Sequence, residues 1–276
     1  MIKRSFHAFL VLAGIVLLVF LMFQGIGDPD RMLVGQTGDQ KTLLNIRQEL
    51  NLDKPVWKQF LLYANDVSPV SIHSAEDINR KGLKGFFIGD KNKFGIKIPY
   101  LGKSYQTRRP VAEMLMQVLP ATIILAVAAM AFAIVFGVLF GIIAAVNKGK
   151  WLDTSTVLAS VAGISAPSFF MAIIIAYVFG ILLQPYTGLN FSGSLYEVNE
   201  VTGEPVLRIK NLILPSLTLG IRPLAIICQI TRSAMLNELQ KDYIRTAYAK
   251  GLSKGRVIFR HALPNAMNPV ITVITG

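Results

Sequence analysis

The stretch IILAVAAMAFAIVFGVLFGIIAA, residues 123–145, contains no charged residue and decides the class of fold. It lies inside an uncharged run from Met114 to Asn147. About 20 apolar residues in a helix are enough to cross the ~30 Å hydrocarbon core of a bilayer. Gly137 and Gly141 stand one helical turn apart, a spacing that lets a second helix approach closely. The stretch therefore predicts a membrane-spanning helix with one small-residue face.

The composition of the whole chain agrees with a membrane protein. Hydrophobic residues make up 53% of 276 positions and charged residues 16%, which is too apolar for an ordinary soluble domain of this length. Lys and Arg outnumber Asp and Glu by 28 to 16, but they lie in loops without a base-reading motif, so nucleic acid is not an expected partner. The single Cys228 and three dispersed histidines lack metal-ligand spacing, and neither a metal nor a cofactor is expected.

Further apolar stretches lie on both sides of the 114–147 run, at residues 5–27, 157–183, 212–230 and from about Pro269 onward. Residues 1–27 are predicted to form an uncleaved first transmembrane helix, because no small-residue cleavage pattern follows the apolar core. Pro167 is expected to kink or interrupt the third span. Together these stretches predict an all-α polytopic membrane protein whose last helix is cut off at Gly276.

Basic residues in the short loops predict the orientation. Lys3 and Arg4 precede the first span, Lys148 and Lys150 follow the second, and a basic run follows the fourth: Arg232, Lys241, Arg245, Lys250, Lys254, Arg256 and Arg260. If the spans alternate, all of these residues lie on one side, which the positive-inside rule identifies as cytoplasmic. The N-terminus is therefore expected in the cytoplasm, and membrane lipid is an expected partner of the spans.

Residues 28–113 are expected to form a long external loop region after the first helix. Within it, Leu43 to Tyr63 place apolar residues at helical spacing, which predicts an amphipathic helix broken near Lys54 and Pro55. The range from Asp66 to Pro99 is polar and rich in Gly and Lys. That composition favours a loop or a small external cap, followed by a transmembrane domain over residues 114–276.

Catalytic motifs give little support for an enzyme. The range from Gly85 to Lys91 has the wrong spacing for a phosphate loop. No carboxylate pair, Ser/His/Asp set or His-Glu-x-x-His element occurs in or beside the spans. A membrane enzyme is therefore a weak hypothesis. A secondary transporter or channel subunit working without ATP is the stronger alternative, although it would predict paired ionisable groups and repeated broken helices.

The 232–266 segment carries most of the functional information. Glu238 to Lys250 favours a helix with Tyr243, Ala247 and Leu239 on one side, and Gly251 is a typical helix stop. Ser253 can cap a second short helix, residues 254–261, which Pro264 is expected to end. These residues predict either a compact knob that contacts a partner or a solvated basic loop that sets topology.

Arg245-Thr-Ala-x-x-x-Gly251, followed by His261-x-Leu263-Pro264, resembles the EAA signature of bacterial ABC-importer permeases. That signature has an acidic residue where Arg245 stands and Ile where His261 stands. Residues 243–252 and 260–266 more closely resemble the dipeptide and oligopeptide branch, which also includes nickel and glutathione importers and usually shows both departures. Further matches lie at residues 18–21, 27–29, 52–57, 109–113, 119–122 and 214–217.

The resemblance implies a type I ABC importer fold and a non-catalytic permease subunit in a bacterial inner membrane. Its expected partners are a second permease subunit in a heterodimer, two cytoplasmic ABC ATPase subunits and an external substrate-binding protein. The family has the rest of a fifth span and a sixth, so the resemblance implies either a fragment, which is the favoured expectation, or a truncated gene product. The 232–266 segment would be the cytoplasmic coupling segment, with these ATPase-coupling residues: Asp242, Tyr243, Arg245, Thr246, Ala247, Lys250, Gly251, Leu252, His261, Leu263 and Pro264.

Arg222 lies near the middle of the fourth span and is followed by Pro223. A charge at the centre of a membrane helix costs ~2.5–3.5 kcal/mol on insertion scales, so this side chain should face protein or water. One hypothesis places it in the translocation path, where it meets a substrate carboxylate. The other gives it a structural role, paired with a partner subunit or with backbone carbonyls.

Overall fold

The computed structural model describes residues 2–25, 51–90, 92–104, 107, 109–198 and 202–275. Within them, three helical stretches are long and apolar enough to cross a membrane: Lys3–Met22, Val111–Val146 and Lys210–Leu239. A bent helix pair would make a fourth if it counts as one span. The predicted all-α polytopic fold is confirmed, and the chain divides into two compact units, Met1–Val118 and Leu119–Gly276.

The described elements of the first unit are α1 (Ile2–Gly25), α2 (Val56–Val67), β1 (Val70–Ser74), α3 (Ala75–Lys81), β2 (Gly85–Ile88) and β3 (Asn92–Lys97). The amphipathic helix expected over residues 43–63 breaks at Pro55 as predicted, and α2 continues to Val67. Its first part, residues 43–50, lies outside the described residues. The range expected to be a loop or a small external cap contains an antiparallel sheet of order β1-β3-β2, with Val70 and Phe86 both opposite Ile96, so it is not a plain loop.

The sheet buries its polar face and leaves its apolar face exposed. Ser71, His73 and Lys97 are buried, and the Lys97 ammonium donates to the backbone carbonyls of Asp66 and Ser68. The opposite face exposes these apolar side chains: Val70, Ile72, Phe86, Ile88, Phe94 and Ile96. The hydrogen bonds of Lys97 offset the cost of burying its ammonium, whereas the buried Ser71 hydroxyl has no hydrogen-bond partner among the described residues.

The second unit is built from long helices. Helix α4 (Val111–Val146) continues into it from the first unit, and the elements that follow are α5 (Trp151–Ser165), α6 (Ser168–Tyr177), a π-helical segment (Val178–Leu182), α7 (Gln184–Thr187), β4 (Tyr196–Val198), β5 (Pro205–Leu207), α8 (Lys210–Leu239), α9 (Asp242–Ala249), α10 (Lys254–Arg256), a second π-helical segment (Val257–Ala262) and α11 (Leu263–Thr275). The fourth span, predicted for residues 212–230, is therefore longer than expected. The last helix begins at Leu263 rather than near Pro269.

The third predicted span is broken at Pro167. Between Trp151–Ser165 and Ser168–Leu182 the helical path bends by 113°. Ala166 is extended, with ψ of 134°, because a residue before proline is disfavoured in the helical region. The expected interruption is therefore present. The bend is sharp enough for either a broken span or a re-entrant pair.

Gly137 and Gly141 form the close helix contact that their spacing predicts. A Cβ atom at Gly137 would lie 2.9 Å from the carbonyl oxygen of Leu224, and one at Gly141 would lie 2.6 Å from Cβ of Thr231. Both neighbours belong to α8, so the small residues let α4 and α8 pack backbone to backbone. Helix α8 is therefore in direct contact with α4, the helix that contains the uncharged stretch 123–145.

Candidate functional site

The 232–266 segment forms two helical parts joined at a glycine corner. The single helix expected over residues 238–250 is wrong, because Glu238 and Leu239 end α8 and α9 begins at Asp242. Lys241 between them is extended, with ψ of 151°. The local sequence has no Gly or Pro at this break, so helical periodicity alone could not reveal it.

Gly251 ends α9 in a Schellman motif. Its φ is +76°, a left-handed conformation that glycine adopts without penalty. The Gly251 N–H donates to the carbonyl of Tyr248 at 2.9 Å, and the Leu252 N–H donates to the carbonyl of Ala247 at 3.3 Å. These two bonds satisfy orphan carbonyls of the helix end and fix the corner. The predicted helix stop is confirmed.

The inner face of α9 is buried against the ends of three longer helices. Ile244 and Ala247 are 1% and 7% exposed, and they share one apolar cluster with the following residues of α4, α8, the second π-helical segment and α11: Ile142, Ala145, Met235, Val257, Ile258, Ala262 and Ala266. Tyr243, expected beside Ala247, is instead 38% exposed. Ile244, which lies three residues before Ala247, faces inward with it. The knob is therefore packed onto the helix ends.

A polar network, which the sequence did not reveal, fastens the outer edge of α9. The Tyr243 hydroxyl donates to Glu238 at 2.6 Å and accepts from the Asn265 amide at 3.1 Å. Lys241 donates to the same Glu238 carboxylate at 2.6 Å. Burial, with the hydrogen bond to Glu238, raises the pKa of the Tyr243 hydroxyl. The hydrogen bond to Glu238 also raises the pKa of the Lys241 ammonium. Helices α8, α9 and α11 are thereby joined at one point.

The second half of the segment departs from the prediction. Ser253 takes the N-cap position, but its side chain makes no capping hydrogen bond. Pro264 does not end a helix, since α11 runs from Leu263 through it to Thr275. The preceding π-helical segment, Val257–Ala262, explains this. Its wider turn relieves the clash between a proline ring and the carbonyl four residues earlier.

The residues predicted for coupling divide by exposure. Ala247 is buried and Leu252, His261 and Leu263 are half-buried, whereas the rest are exposed: Asp242, Tyr243, Arg245, Thr246, Lys250, Gly251 and Pro264. Tyr248 and Phe259, which no sequence motif marks, are 44% and 59% exposed. The outer face of the knob is therefore basic and aromatic, and it is open for contact with another molecule.

Asp153 and Arg232 connect this segment to α5. The guanidinium donates from Nε to one carboxylate oxygen and from Nη2 to the other, the latter at 2.8 Å. The Gly149 N–H also donates to Asp153, at 2.9 Å. The two residues lie 79 positions apart, so no local pattern could pair them.

Arg222 lies on an exposed face of α8. It is exposed, as are Leu219 and Ile226 on the neighbouring turns. Within the described part of the chain, no ion pair of Arg222 is formed, in contrast to Arg232, which lies almost three turns further along the same helix. A cation in an apolar span is stable only when it contacts protein or water, and for Arg222 that contact would come from outside this chain.

Residues 137–275 match the family described as binding-protein-dependent transport system inner membrane component, and residues 1–126 match its N-terminal component. The chain belongs to this family. It is a multi-pass inner-membrane permease component of a transport system. Family membership thereby favours the importer hypothesis over the ATP-independent transporter and the membrane enzyme.

Relatives in this family are named for dipeptide and glutathione transport systems. The chain is 35% identical to the probable D,D-dipeptide transport system permease protein DdpB of Escherichia coli strain K12, covering 99% of the chain and 76% of that relative. It is 35% identical to the dipeptide transport system permease protein DppB of the same organism, over 95% and 74%. It is 32% identical to the glutathione transport system permease protein GsiC of Escherichia coli O6:H1, over 99% and 75%.

Proposed function

We propose that this chain is the permease subunit of an ATP-driven importer of di- or oligopeptides and that its 232–266 segment couples substrate movement to ATP hydrolysis in partner subunits. The observation that carries the proposal is the two-sided character of α9. Its inner face is locked into the apolar cluster with Ile142, Met235 and Ala266, while its outer face is exposed. A partner that displaces this knob would therefore also displace the helices packed against it.

The packing around α9 indicates how motion would be transmitted. Ile244 and Ala247 are buried in the cluster, and buried apolar residues generally pack at close to crystalline density. A displacement of α9 must therefore carry the ends of α4, α8 and α11 with it. The Tyr243–Glu238 hydrogen bond and the Asp153–Arg232 ion pair add polar links to the same helix ends. Closure of the ATPases would thus rock the spans between inward-facing and outward-facing states.

The proposed assembly contains a second permease subunit, two cytoplasmic ABC ATPase subunits and an external binding protein that delivers the substrate. The N-terminus and the 232–266 segment would lie in the cytoplasm, with residues 28–113 outside. Peptide as the substrate class is supported by the names of several relatives. Within that class, the choice of substrate would rest largely on the binding protein.

Arg222 is proposed to line the translocation path. Its position on the exposed face of α8, without a partner among the described side chains, fits a cation that meets the carboxylate of a passing peptide. Arginine suits this role because its planar guanidinium binds carboxylates through paired hydrogen bonds.

Photo-crosslinking tests the coupling role directly. A benzophenone amino acid replaces Tyr248 on the outer face of the knob, or Tyr186, which is 88% exposed elsewhere in the second unit. In the assembled transporter, the label at position 248 should form adducts with an ATPase subunit. The label at position 186 should form none, since it is expected on the other side of the membrane. A complex that transports substrate but gives no ATPase adduct from position 248 would contradict the proposal.

A further inference from the structure

Helix α2 lies beside the end of the first span. The ring of Phe20 in α1 is 5.4 Å from the ring of Phe60 and 5.9 Å from that of Tyr63, both in α2. Phe20 falls inside the stretch Lys3–Met22, which is long and apolar enough to cross a membrane. Because Phe20 is close to the end of that stretch, its ring contacts place α2 at the depth where the bilayer meets water.

Helix α2 is too short to cross the membrane itself. It has 12 residues, whereas a spanning helix needs ~20. The polar side chains at the C-terminal end of α2 form hydrogen bonds within the first unit. The Asn65 amide donates to the carbonyl of Ile72 at 2.8 Å, and the Asp66 carboxylate accepts from Lys81 at 2.6 Å. The helix is therefore fixed to the sheet through its last turns.

The outward side of α2 is apolar and open. Trp57 is 64% exposed and Leu61 56% exposed, and they lie one helical turn apart on the same face. Val56 is 49% exposed, and no residue of α2 is fully buried. Lys58, next to Trp57, is also exposed. A soluble helix would place polar side chains at these positions.

We propose that α2 is an interfacial helix that lies in the plane of the membrane surface and binds phospholipid. Trp57 and Leu61 insert at the boundary between headgroups and acyl chains, and the Lys58 ammonium meets headgroup phosphates. Tryptophan is enriched at this level of membrane proteins, and lysine extends its charge to the headgroups along an apolar stem. A short amphipathic helix with an apolar and basic surface binds lipid in this way.

Lipid is favoured over a protein occupant by position and charge. The ring contacts with Phe20 already place α2 against a membrane-spanning helix, so the bilayer is its immediate neighbour. Leu61 suits the acyl chains, Trp57 suits the interface, and Lys58 suits the headgroup phosphates. In the proposed arrangement α2 holds the β1–β3 sheet at a fixed height above the membrane.

Depth-dependent quenching in the assembled transporter tests the proposal. Single cysteines replace Trp57 or Leu61 in a chain whose buried Cys228 is changed to alanine, and each is labelled with bimane. The complex is reconstituted in vesicles of phosphatidylethanolamine and phosphatidylglycerol, with or without lipid brominated along its acyl chains. Glu76→Cys in α3, an exposed position, is the aqueous control. The signal of the parent complex without the new cysteine is subtracted.

Bromolipid should quench bimane at positions 57 and 61 at least threefold more than at position 76, and aqueous iodide should show the reverse order. Two independent label sites guard against the loss of Trp57 itself disturbing the helix. Equal bromolipid quenching at all three positions would overturn the proposal. So would protein crosslinks from positions 57 and 61 without lipid quenching, since this surface would then be an interface between subunits.

Discussion

Arg232 and Asp153 form a two-bonded ion pair that ties α8 to the first turn of α5. Their side chains are 28% and 6% exposed, and the Gly149 N–H adds a third hydrogen bond to the carboxylate. Gly149 lies in the turn between α4 and α5, so the Asp153 carboxylate holds that turn as well as Arg232. The position of Arg232 at the start of the 232–266 segment makes the pair a fixed point about which that segment is held.

Asp153→Asn should destabilise the second unit. Removing one partner of a buried ion pair costs ~3–5 kcal/mol, and the partial exposure of Arg232 lowers the expectation to about 1–3 kcal/mol. The measurement is the thermal unfolding midpoint of the purified complex in detergent. Asp242→Asn is the matched control, because its side chain is 94% exposed and lies 3.5 Å from Arg245. An equal shift in both variants would contradict a special role for Asp153.

Gly251→Ala should weaken transport without preventing insertion. An alanine forced to keep φ of +76° is strained by about 1–2 kcal/mol, which loosens the corner that ends α9. Gly255→Ala is the control, since a Cβ there meets no atom within 4 Å and the backbone is not left-handed. Peptide uptake and ATPase association are measured together. If the Gly251→Ala variant is expressed normally and its peptide uptake is unchanged, the turn at Gly251 is not needed for coupling.

The sequence predicted the three long apolar spans, the Gly137–Gly141 contact and the Gly251 stop, because each depends on residues close together in the chain. It missed the break at Lys241, where a tertiary apolar cluster around Ile244 overrides a continuous helical pattern. It also missed the passage of α11 through Pro264, which depends on a π-helical turn that no residue type specifies. The pairing of Asp153 with Arg232 could not be predicted, because the two residues lie 79 positions apart and meet only in the folded chain.

Acid should loosen the sheet of the first unit through His73. Burial lowers the pKa of His73, which lies among Asp66, Lys81 and Lys97. In the unfolded sheet His73 takes up a proton near pH ~6.5, whereas in the folded sheet it does so only at lower pH. The free energy of unfolding of the sheet is therefore highest above pH ~6.5 and decreases below it. Hydrogen exchange of β1–β3 peptides at pH 7.5 and 5.5 measures the effect. His73→Gln should abolish the acid-induced opening, whereas His7→Gln should leave it unchanged. Persistence of the opening in His73→Gln would assign it to another group.

Arg222→Gln separates the two roles open to this arginine. If its guanidinium meets substrate carboxylate in the translocation path, uptake of dipeptides with a free carboxylate should fall about tenfold. Uptake of C-terminally amidated dipeptides should fall much less, because these lack the charge that Arg222 would bind. A tenfold loss corresponds to ~1.4 kcal/mol, close to the lower end of the ~1.5–3 kcal/mol that one hydrogen bond to a charged group contributes.

The control for Arg222→Gln is Arg208→Gln, because the Arg208 side chain is 62% exposed in the second unit, where it lies 3.5 Å from Glu197. This variant should affect both dipeptide classes little. Recovery of the partner subunits on purification is followed in parallel, since a structural arginine would act on assembly instead. Equal loss for free and amidated dipeptides in Arg222→Gln, together with loss of the partner subunits, would assign Arg222 to the subunit interface and remove it from the path.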